Sequence, residues 1–215
     1  MAEAPRKRMS AAERRSELLE AASEVFGRRG YHGASLDEIA STAGVSKALI
    51  YEHFASKREL HAELVEQHAG EIFKRLQANT ESGATGEERL RAGIDAFLGF
   101  VEENRDAWRA LFRDASDPEV TEAISRVREQ AAGVVAALMA ADTPREPGVS
   151  AKQRSQFFEM QGQLLAGAIQ VLAHWWTDHP GIPRETVVDR AMDFCWIGLD
   201  RVSQGELFRR GKLVR

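Results

Sequence analysis

The length, composition and charge of the chain exclude several classes of protein at the outset. Its 215 residues are 43% hydrophobic and 7% aromatic, enough to fill a packed core, so global disorder is excluded. The formal net charge of −4 argues against a protein that binds polyanions over its whole surface. Because it has no run of eighteen uncharged apolar residues and a single cysteine, Cys195, we expect a cytoplasmic protein that binds no membrane.

Basic residues are concentrated near the N-terminus. The first sixty residues carry ten Lys+Arg against nine Asp+Glu, whereas the remainder carries nineteen against twenty-four. Between positions 6 and 15 the acid Glu13 faces five basic residues: Arg6, Lys7, Arg8, Arg14 and Arg15. This asymmetry predicts a local basic contact surface, including a basic arm over residues 1–10.

Helical periodicity runs along the chain, and strand-like alternation is missing. The first helix is predicted from about Ser10 to Arg28, with Gly30 as its stop signal. One of its faces is apolar: Leu18, Leu19, Ala22, Val25 and Phe26. Three later helix starts carry the Ser/Thr-x-x-Glu capping box, in which hydroxyl and carboxylate satisfy unpaired amides: Ser35–Glu38, Ser56–Glu59 and Thr85–Glu88.

Longer helices are predicted beyond residue 56, separated by loops with glycine and proline. Their ranges are Lys57–Asn79, Glu87–Glu103, Asp106–Arg113, Pro118–Ala141, Ala151–Thr177 and Pro183–Phe208. Together with the short N-terminal helices they make about nine. We therefore expect an all-α protein, with a small N-terminal helical unit and a larger helical bundle.

The most informative segment is Leu36–Phe54, which has the spacing of a helix-turn-helix. Ala40 is small enough for two helices to cross closely, and Gly44 allows a sharp turn with positive φ. Ser46 can cap the next helix, and Ile50 can pin that helix to the core. The spacing of Ala40, Gly44 and Ile50, with a capping box on either side, predicts a DNA-binding helix-turn-helix.

The second helix of this motif leaves a polar side exposed. Its outward residues, with the lysine just beyond it, are Lys47, Ala48, Tyr51, Glu52, His53 and Lys57. They include donors suited to phosphates and base edges, which favours DNA over a merely solvated helix face.

The run GVSKALIYEHFASKREL resembles the DNA-binding domain of the TetR (tetracycline-repressor) family, over about the first sixty residues. The resemblance implies an all-α homodimer with a three-helix DNA-binding unit, followed by a C-terminal helical bundle for ligand binding and dimerisation. The corresponding domains here are 1–56 and 57–215. The expected partners are a double-stranded DNA operator, a small-molecule effector and a second copy of the chain.

The resemblance also implies roles for single residues. The positions that face bases at the start of the recognition helix are Lys47, Ala48 and Leu49. The positions that contact phosphates are Tyr51, His53 and Lys57, with the helix caps Ser35 and Ser46 presenting amides and hydroxyls. Glu52 departs from this pattern by placing a carboxylate near DNA. The run Arg6–Arg8 either lies over the DNA or forms a disordered tail.

The last two long helices are the candidates for the dimer interface, where small residues let backbones approach. The residues predicted for it are Gly162, Ala166, Ile169, Met192, Cys195 and Leu199. The alternative is that they pack within one chain.

An effector pocket is expected among the middle helices, where apolar side chains would surround a mostly apolar ligand anchored by few polar groups. Its candidate residues are Phe97, Phe100, Trp108, Phe112, Met139, Phe158, Gln161 and Leu165. The ligand would shift the helix from Lys57, change the spacing of the two DNA-reading helices and release DNA. Because relief of repression by a ligand is commonest in such families, the resemblance implies a repressor whose DNA binding its effector relieves; a co-repressor would act by the same physics.

Two other classes of protein fit the sequence less well: an enzyme and a helical adaptor. An enzyme lacks support, because the sequence has no nucleophile-and-base motif, cofactor loop or metal-ligand spacing; His61 and His68 have no evident third ligand. A helical adaptor would bind protein through the outward face, and the aromatic-free Lys47-Ala48 argues mildly against it. We expect no cofactor and no metal.

Overall fold

The computed structural model describes residues 9–78, 85–113, 118–145, 148–203, 207–209 and 212–214. These contain nine helices and one two-stranded hairpin. The helices are α1 (Ala11–Gly33), α2 (Leu36–Thr42), α3 (Lys47–His53), α4 (Lys57–Ala78), α5 (Gly86–Glu103), α6 (Arg105–Arg113), α7 (Pro118–Asp142), α8 (Ala151–Thr177) and α9 (Arg184–Ser203). The predicted all-α class is confirmed, and most helix ends lie within a residue or two of their predicted positions.

The chain forms two compact units. The first comprises Met1–Gln67 and Asp106–Ala123, and the second comprises His68–Arg105 and Ile124–Arg215. The chain passes from one unit to the other inside α4, at the start of α6 and inside α7. No helix of the described ranges is long and apolar enough to cross a membrane.

The first unit is built on α1, whose predicted apolar face is buried as expected. Leu18, Ala22 and Val25 have no exposed surface, and α2 packs against this helix. Ser10 opens α1 with a reciprocal capping box, since Glu13 N donates to Ser10 Oγ and Ser10 N to the Glu13 carboxylate. Gly30 has φ of 72°, so it breaks the helix where the stop signal is predicted, and a last turn follows.

The three predicted capping boxes differ in how far they form. The box at Thr85 and Glu88 is complete. Ser35 accepts from Glu38 N, but the Glu38 carboxylate accepts from Arg29 at 3.2 Å. The Glu59 carboxylate likewise accepts from Ala55 N, one residue earlier than the box requires. At these two starts the glutamate therefore binds another partner.

In the second unit α5 packs against both α8 and α9, and α8 packs against α9. The buried indole of Trp176 anchors the end of α8 by donating to Ile182 O at 2.8 Å. Arg105 covers that end, because its guanidinium lies over the Trp176 ring and donates to the carbonyls of Trp176 and Thr177. Polar partners thus satisfy helix-end carbonyls that have no helical donor.

The C-terminal end corrects the sequence analysis. Helix α9 ends at Ser203 rather than continuing to Phe208, and strands β1 (Leu207–Arg209) and β2 (Lys212–Val214) pair antiparallel. The sequence has glycine at 205 and 211, and glycines are turn signals that helical periodicity alone does not weigh.

Helices α7 and α8 cross closely at Gly162. A Cβ atom at this position would lie 2.3 Å from the Ala132 carbonyl oxygen, so only glycine fits. We predict that Gly162→Ala lowers the free energy of unfolding by about 1–3 kcal/mol, because the backbones must separate. Gly133→Ala on α7 is the matched control: nothing lies within 4 Å of a Cβ there, and alanine favours helix. Thermal unfolding of both variants checks this, and equal melting temperatures would contradict the close crossing.

Candidate nucleic-acid interface

The turn between α2 and α3 has the predicted geometry. Gly44 has φ of 67°, and Val45 N donates to Ala40 O at 2.9 Å, which closes the turn. Ala40 is 4% exposed and Ile50 is completely buried. The spacing of Ala40, Gly44 and Ile50 therefore does what the sequence predicts: close crossing, turn and anchor.

Helix α3 has seven residues and turns one side into the core. Ser46 caps it by accepting from Leu49 N at 3.3 Å, and Phe54 N donates to Ile50 O at 2.8 Å at its end. Ile50 and Phe54 are buried, whereas Leu49 is half-buried. The core side of α3 is thus Ile50 with Phe54, and the opposite side is open to a partner.

The predicted DNA-contacting residues fall into two groups. The exposed ones are Ser35, Ser46, Lys47, Ala48 and Tyr51. The half-buried ones are Leu49, His53 and Lys57. Glu52, the departure noted above, is exposed on the same helix. The exposed group includes a lysine, a tyrosine and two helix-capping serines, which are all able to donate to phosphate or base acceptors.

Lys47 is held in place by Asp37 on α2. Its Nζ donates to the Asp37 carboxylate at 2.8 Å, and this hydrogen bond raises the pKa of Lys47. Both side chains are largely exposed, at 45% and 71%. Because an ion pair in water contributes little, Lys47 can exchange Asp37 for an acceptor on DNA at low cost.

Lys57 has an internal role that the sequence does not reveal. Its Nζ donates to the carbonyls of Tyr31 at 2.8 Å and Ala34 at 3.0 Å, and it lies 4.5 Å from the centre of the Tyr31 ring. The start of α4 is thereby tied to the end of α1. That Lys57 contacts a DNA phosphate stays a prediction. Its ammonium group would have to bind the phosphate while it donates to the two carbonyl oxygens.

The structure describes two residues of the predicted basic surface, Arg14 and Arg15. Arg14 pairs with Glu17 at 2.7 Å, and Arg15 pairs with Glu63 on α4. Both guanidiniums are therefore engaged inside the first unit. The remaining residues of that surface, Arg6–Arg8, lie outside the described residues.

The candidate effector residues are divided between the two units. Trp108 and Phe112 belong to α6 in the first unit, and the side chain of Phe112 lies outside the description. The other six belong to the second unit. Phe100, Phe158 and Leu165 are buried there, and Phe97, Met139 and Gln161 are half-buried.

Phe100, one of the candidate effector residues, lies beside a half-buried histidine. The His68 ring meets it edge-on at 5.4 Å, and burial lowers the pKa of His68. Both His68 ring nitrogens are buried without a hydrogen-bond partner among the described residues. His68 therefore places two buried polar atoms beside the Phe100 ring.

A cleft of about 590 Å³ lies elsewhere in the second unit, between α5 and α9. Its lining is mainly charged: Glu88, Arg91, Ala92, Asp95, Glu102, Arg184, Glu185 and Val188. Arg184 spans it by donating to Asp95 and Glu102, both at 3.0 Å. The cleft includes none of the candidate effector residues, and its ion pairs do not suit an apolar ligand.

The dimer candidates need correction, because the protomer itself covers most of them. Gly162, Ile169, Met192 and Cys195 are buried within one chain. Burial also raises the pKa of the Cys195 thiol to about 11, so this thiol stays protonated at neutral pH. Ala166 is half-buried, and the side chain of Leu199 lies outside the description.

The exposed apolar residues of the same two helices are different ones. They are Met160, Leu164, Val171 and Trp175 on α8, with Phe194 and Ile197 on α9. Exposure of the α8 residues ranges from 46% to 69%, and Phe194 is 76% exposed. A cluster of large apolar side chains of this kind marks a contact surface.

Comparisons with known proteins agree with this architecture. Residues 18–64 match "Bacterial regulatory proteins, tetR family", and residues 87–198 match "Tetracyclin repressor-like, C-terminal domain". The chain is 32% identical over 192 residues to the HTH-type transcriptional activator FasR of Mycolicibacterium smegmatis, covering 88% of this chain and 84% of that one. It belongs to the TetR family and is a DNA-binding transcriptional regulator.

Solved structures show the same fold. A TetR-like transcriptional regulator from Rhodococcus sp. RHA1 superposes with a TM-score of 0.71 at 29% identity, covering 90% of this chain and 99% of that one. The transcriptional regulator FadR of Bacillus subtilis, in complex with stearoyl-CoA, superposes with a TM-score of 0.69 at 18% identity, covering 88% and 98%.

We predict that Lys47→Ala weakens operator binding by about 10- to 100-fold and relaxes preference at one base pair. Lys74→Ala, which removes an exposed lysine of the second unit, is the charge-matched control. Binding is measured on a panel of single-base operator variants. A uniform loss over all of them would mean that Lys47 contacts phosphate, and no loss would remove it from the interface.

Proposed function

We propose that the chain works in the cytoplasm as a homodimer that presents two helix-turn-helix units to successive major grooves and answers to a mostly apolar effector. The observation that carries this proposal is the exposed side of α3, which stands on a buried, turn-closed motif. One such motif contacts only a few base pairs. Two copies about 34 Å apart, related by a twofold axis, supply the affinity and selectivity that one lacks.

The exposed stripe of α8 supports the homodimer. At 100° per residue, Met160, Leu164, Val171 and Trp175 lie within an arc of about 60°, along about 22 Å of helix. Gly167 lies about 20° beyond one edge of this arc, near the middle of its length, with nothing within 4 Å of a Cβ placed there. An apolar stripe with a small residue beside its midpoint suits antiparallel or crossed packing on its own copy. We therefore assign the dimer face to these residues with Phe194 and Ile197.

Leu164→Glu is predicted to convert the dimer into a folded monomer, because it places a charge at the centre of the stripe while disturbing no buried contact. Gln163→Glu adds the same charge one residue away, on an exposed polar position, and should stay dimeric. Light scattering after gel filtration gives the mass, and operator binding by the Leu164 variant should fall with it. A dimeric Leu164→Glu variant would contradict this face.

An apolar effector is supported by Phe100, Phe158 and Leu165, which are buried in the second unit. The direction of the response is open to test, since the sequence analysis predicts a repressor and FasR is named an activator. Stearoyl-CoA is a suitable probe, because a protein of the same fold holds it.

We predict that stearoyl-CoA changes the operator dissociation constant at least about tenfold, equivalent to a coupling of 1.4 kcal/mol. Fluorescence anisotropy of a labelled operator, titrated with protein at fixed ligand, measures the change. Coenzyme A without an acyl chain is the matched control and should have no effect. Weaker operator binding would support a ligand that relieves repression, and tighter binding would support a ligand that promotes DNA binding. An unchanged constant at saturating ligand would contradict an acyl effector.

A further inference from the structure

We propose that Arg15 and Glu63 hold the end of the recognition helix in place, and so set operator affinity without touching DNA. The proposal rests on the assignment of α3 as the DNA-reading helix. It concerns two residues on other helices, Arg15 on α1 and Glu63 on α4.

The contact geometry of Arg15 is that of a clasp. Its Nε donates to one Glu63 carboxylate oxygen at 2.5 Å and its Nη2 to the other, so the pair is bidentate. Its Nη1 donates to the carbonyl oxygen of His53, the last residue of α3. Its guanidinium also lies over the Phe54 ring, 4.2 Å from the centre.

All four contacts lie within the first unit and use most of what a guanidinium offers. The planar group has five N–H donors, and three nitrogens are directed at Glu63 and His53 while one face covers Phe54. The side chains of Arg15 and Glu63 are 34% and 31% exposed, so the pair is shielded more than a typical surface pair. Arg15 therefore acts as a positioning residue.

The end of α3 needs such a partner. The last carbonyls of a helix have no helical donor, and a helix of seven residues has few internal hydrogen bonds to fix its direction. Ile50 and Phe54 anchor one side of α3 in the core. Arg15 adds a hydrogen bond to the final carbonyl and, through Glu63, ties it to α4. The direction in which Lys47 and Tyr51 point thus depends on the clasp.

The negative charge of Glu63 distinguishes this proposal from one in which Arg15 contacts a DNA phosphate directly. Removing the Glu63 carboxylate reduces negative charge on a DNA-binding unit, so electrostatics alone predicts tighter binding. The clasp predicts weaker binding, because Arg15 loses its bidentate partner. Arg91 provides the control for the arginine, since it also pairs with a carboxylate on another helix, Asp189 on α9, but lies in the second unit.

The experiment measures binding to the duplex that the wild-type chain recovers from a random pool, between 50 and 200 mM salt. Arg15→Gln and Glu63→Gln should each weaken binding about tenfold or more, as loss of hydrogen bonds to charged groups does. The salt slope should stay at the wild-type value, because no phosphate contact is lost. The double variant should be no weaker than the weaker single one, Arg15→Lys should be intermediate, and Arg91→Gln should bind like wild type.

Three outcomes would overturn the clasp: a salt slope reduced by about one in Arg15→Gln, tighter binding by Glu63→Gln, or independent losses that multiply in the double variant. Where Arg15→Gln fails to fold, Arg15→Lys and Glu63→Gln carry the test.

Amide exchange over residues 47–54 gives a reading without DNA. It should accelerate in the Arg15 and Glu63 variants and not in Arg91→Gln, and equal exchange would also overturn the proposal. Failure of the wild type to recover any duplex would instead count against α3 as the reading helix.

Discussion

A helix of two turns cannot hold its own direction in water, because it has too few internal hydrogen bonds to offset the entropy of forming it. Helix α3 is of this kind, with seven residues. Its orientation depends on what surrounds it: the Gly44 turn before it, Ile50 and Phe54 beneath it, and the Arg15 contact at its end. The proposed reading of DNA by α3 therefore depends on the burial of one side of this helix, which leaves the other side exposed.

The first turns of α4 are linked both to the end of α1 and to the end of α3. Lys57 donates to carbonyls at the end of α1, and Glu63 reaches the end of α3 through Arg15. The three-helix motif is thus attached to α4 at two points six residues apart. A tilt of the first turns of α4 would act on the motif through both contacts, and bending α3 alone would break the buried contacts of Ile50 and Phe54.

Local signals in the sequence predict much of this fold. The periodicity of apolar residues, the helix caps and the glycines predict where the helices lie and which face of α1 is buried. They also predict the roles of Ala40, Gly44 and Ile50, because each of these features depends on neighbours within a few residues. The roles of Arg15 and Lys57 depend on partners 48 and 26 residues away, which periodicity does not identify. Gly162 shows a further limit: a small residue on a helix indicates a close crossing, and the sequence does not say whether the partner is α7 or a second protomer.

The charge of the first unit also gains a physical account. Several of its arginines are engaged with acids of the same unit: Arg14 with Glu17, Arg15 with Glu63, Arg28 with Glu24 and Arg29 with Glu38. These pairs organise the motif and leave less positive charge for phosphates, which agrees with a net charge of −4 for the whole chain. A single unit with so modest a charge would hold DNA weakly. In the proposed dimer, joining two units through the stripe on α8 would multiply their affinities and supply binding strength that the charge of one unit does not.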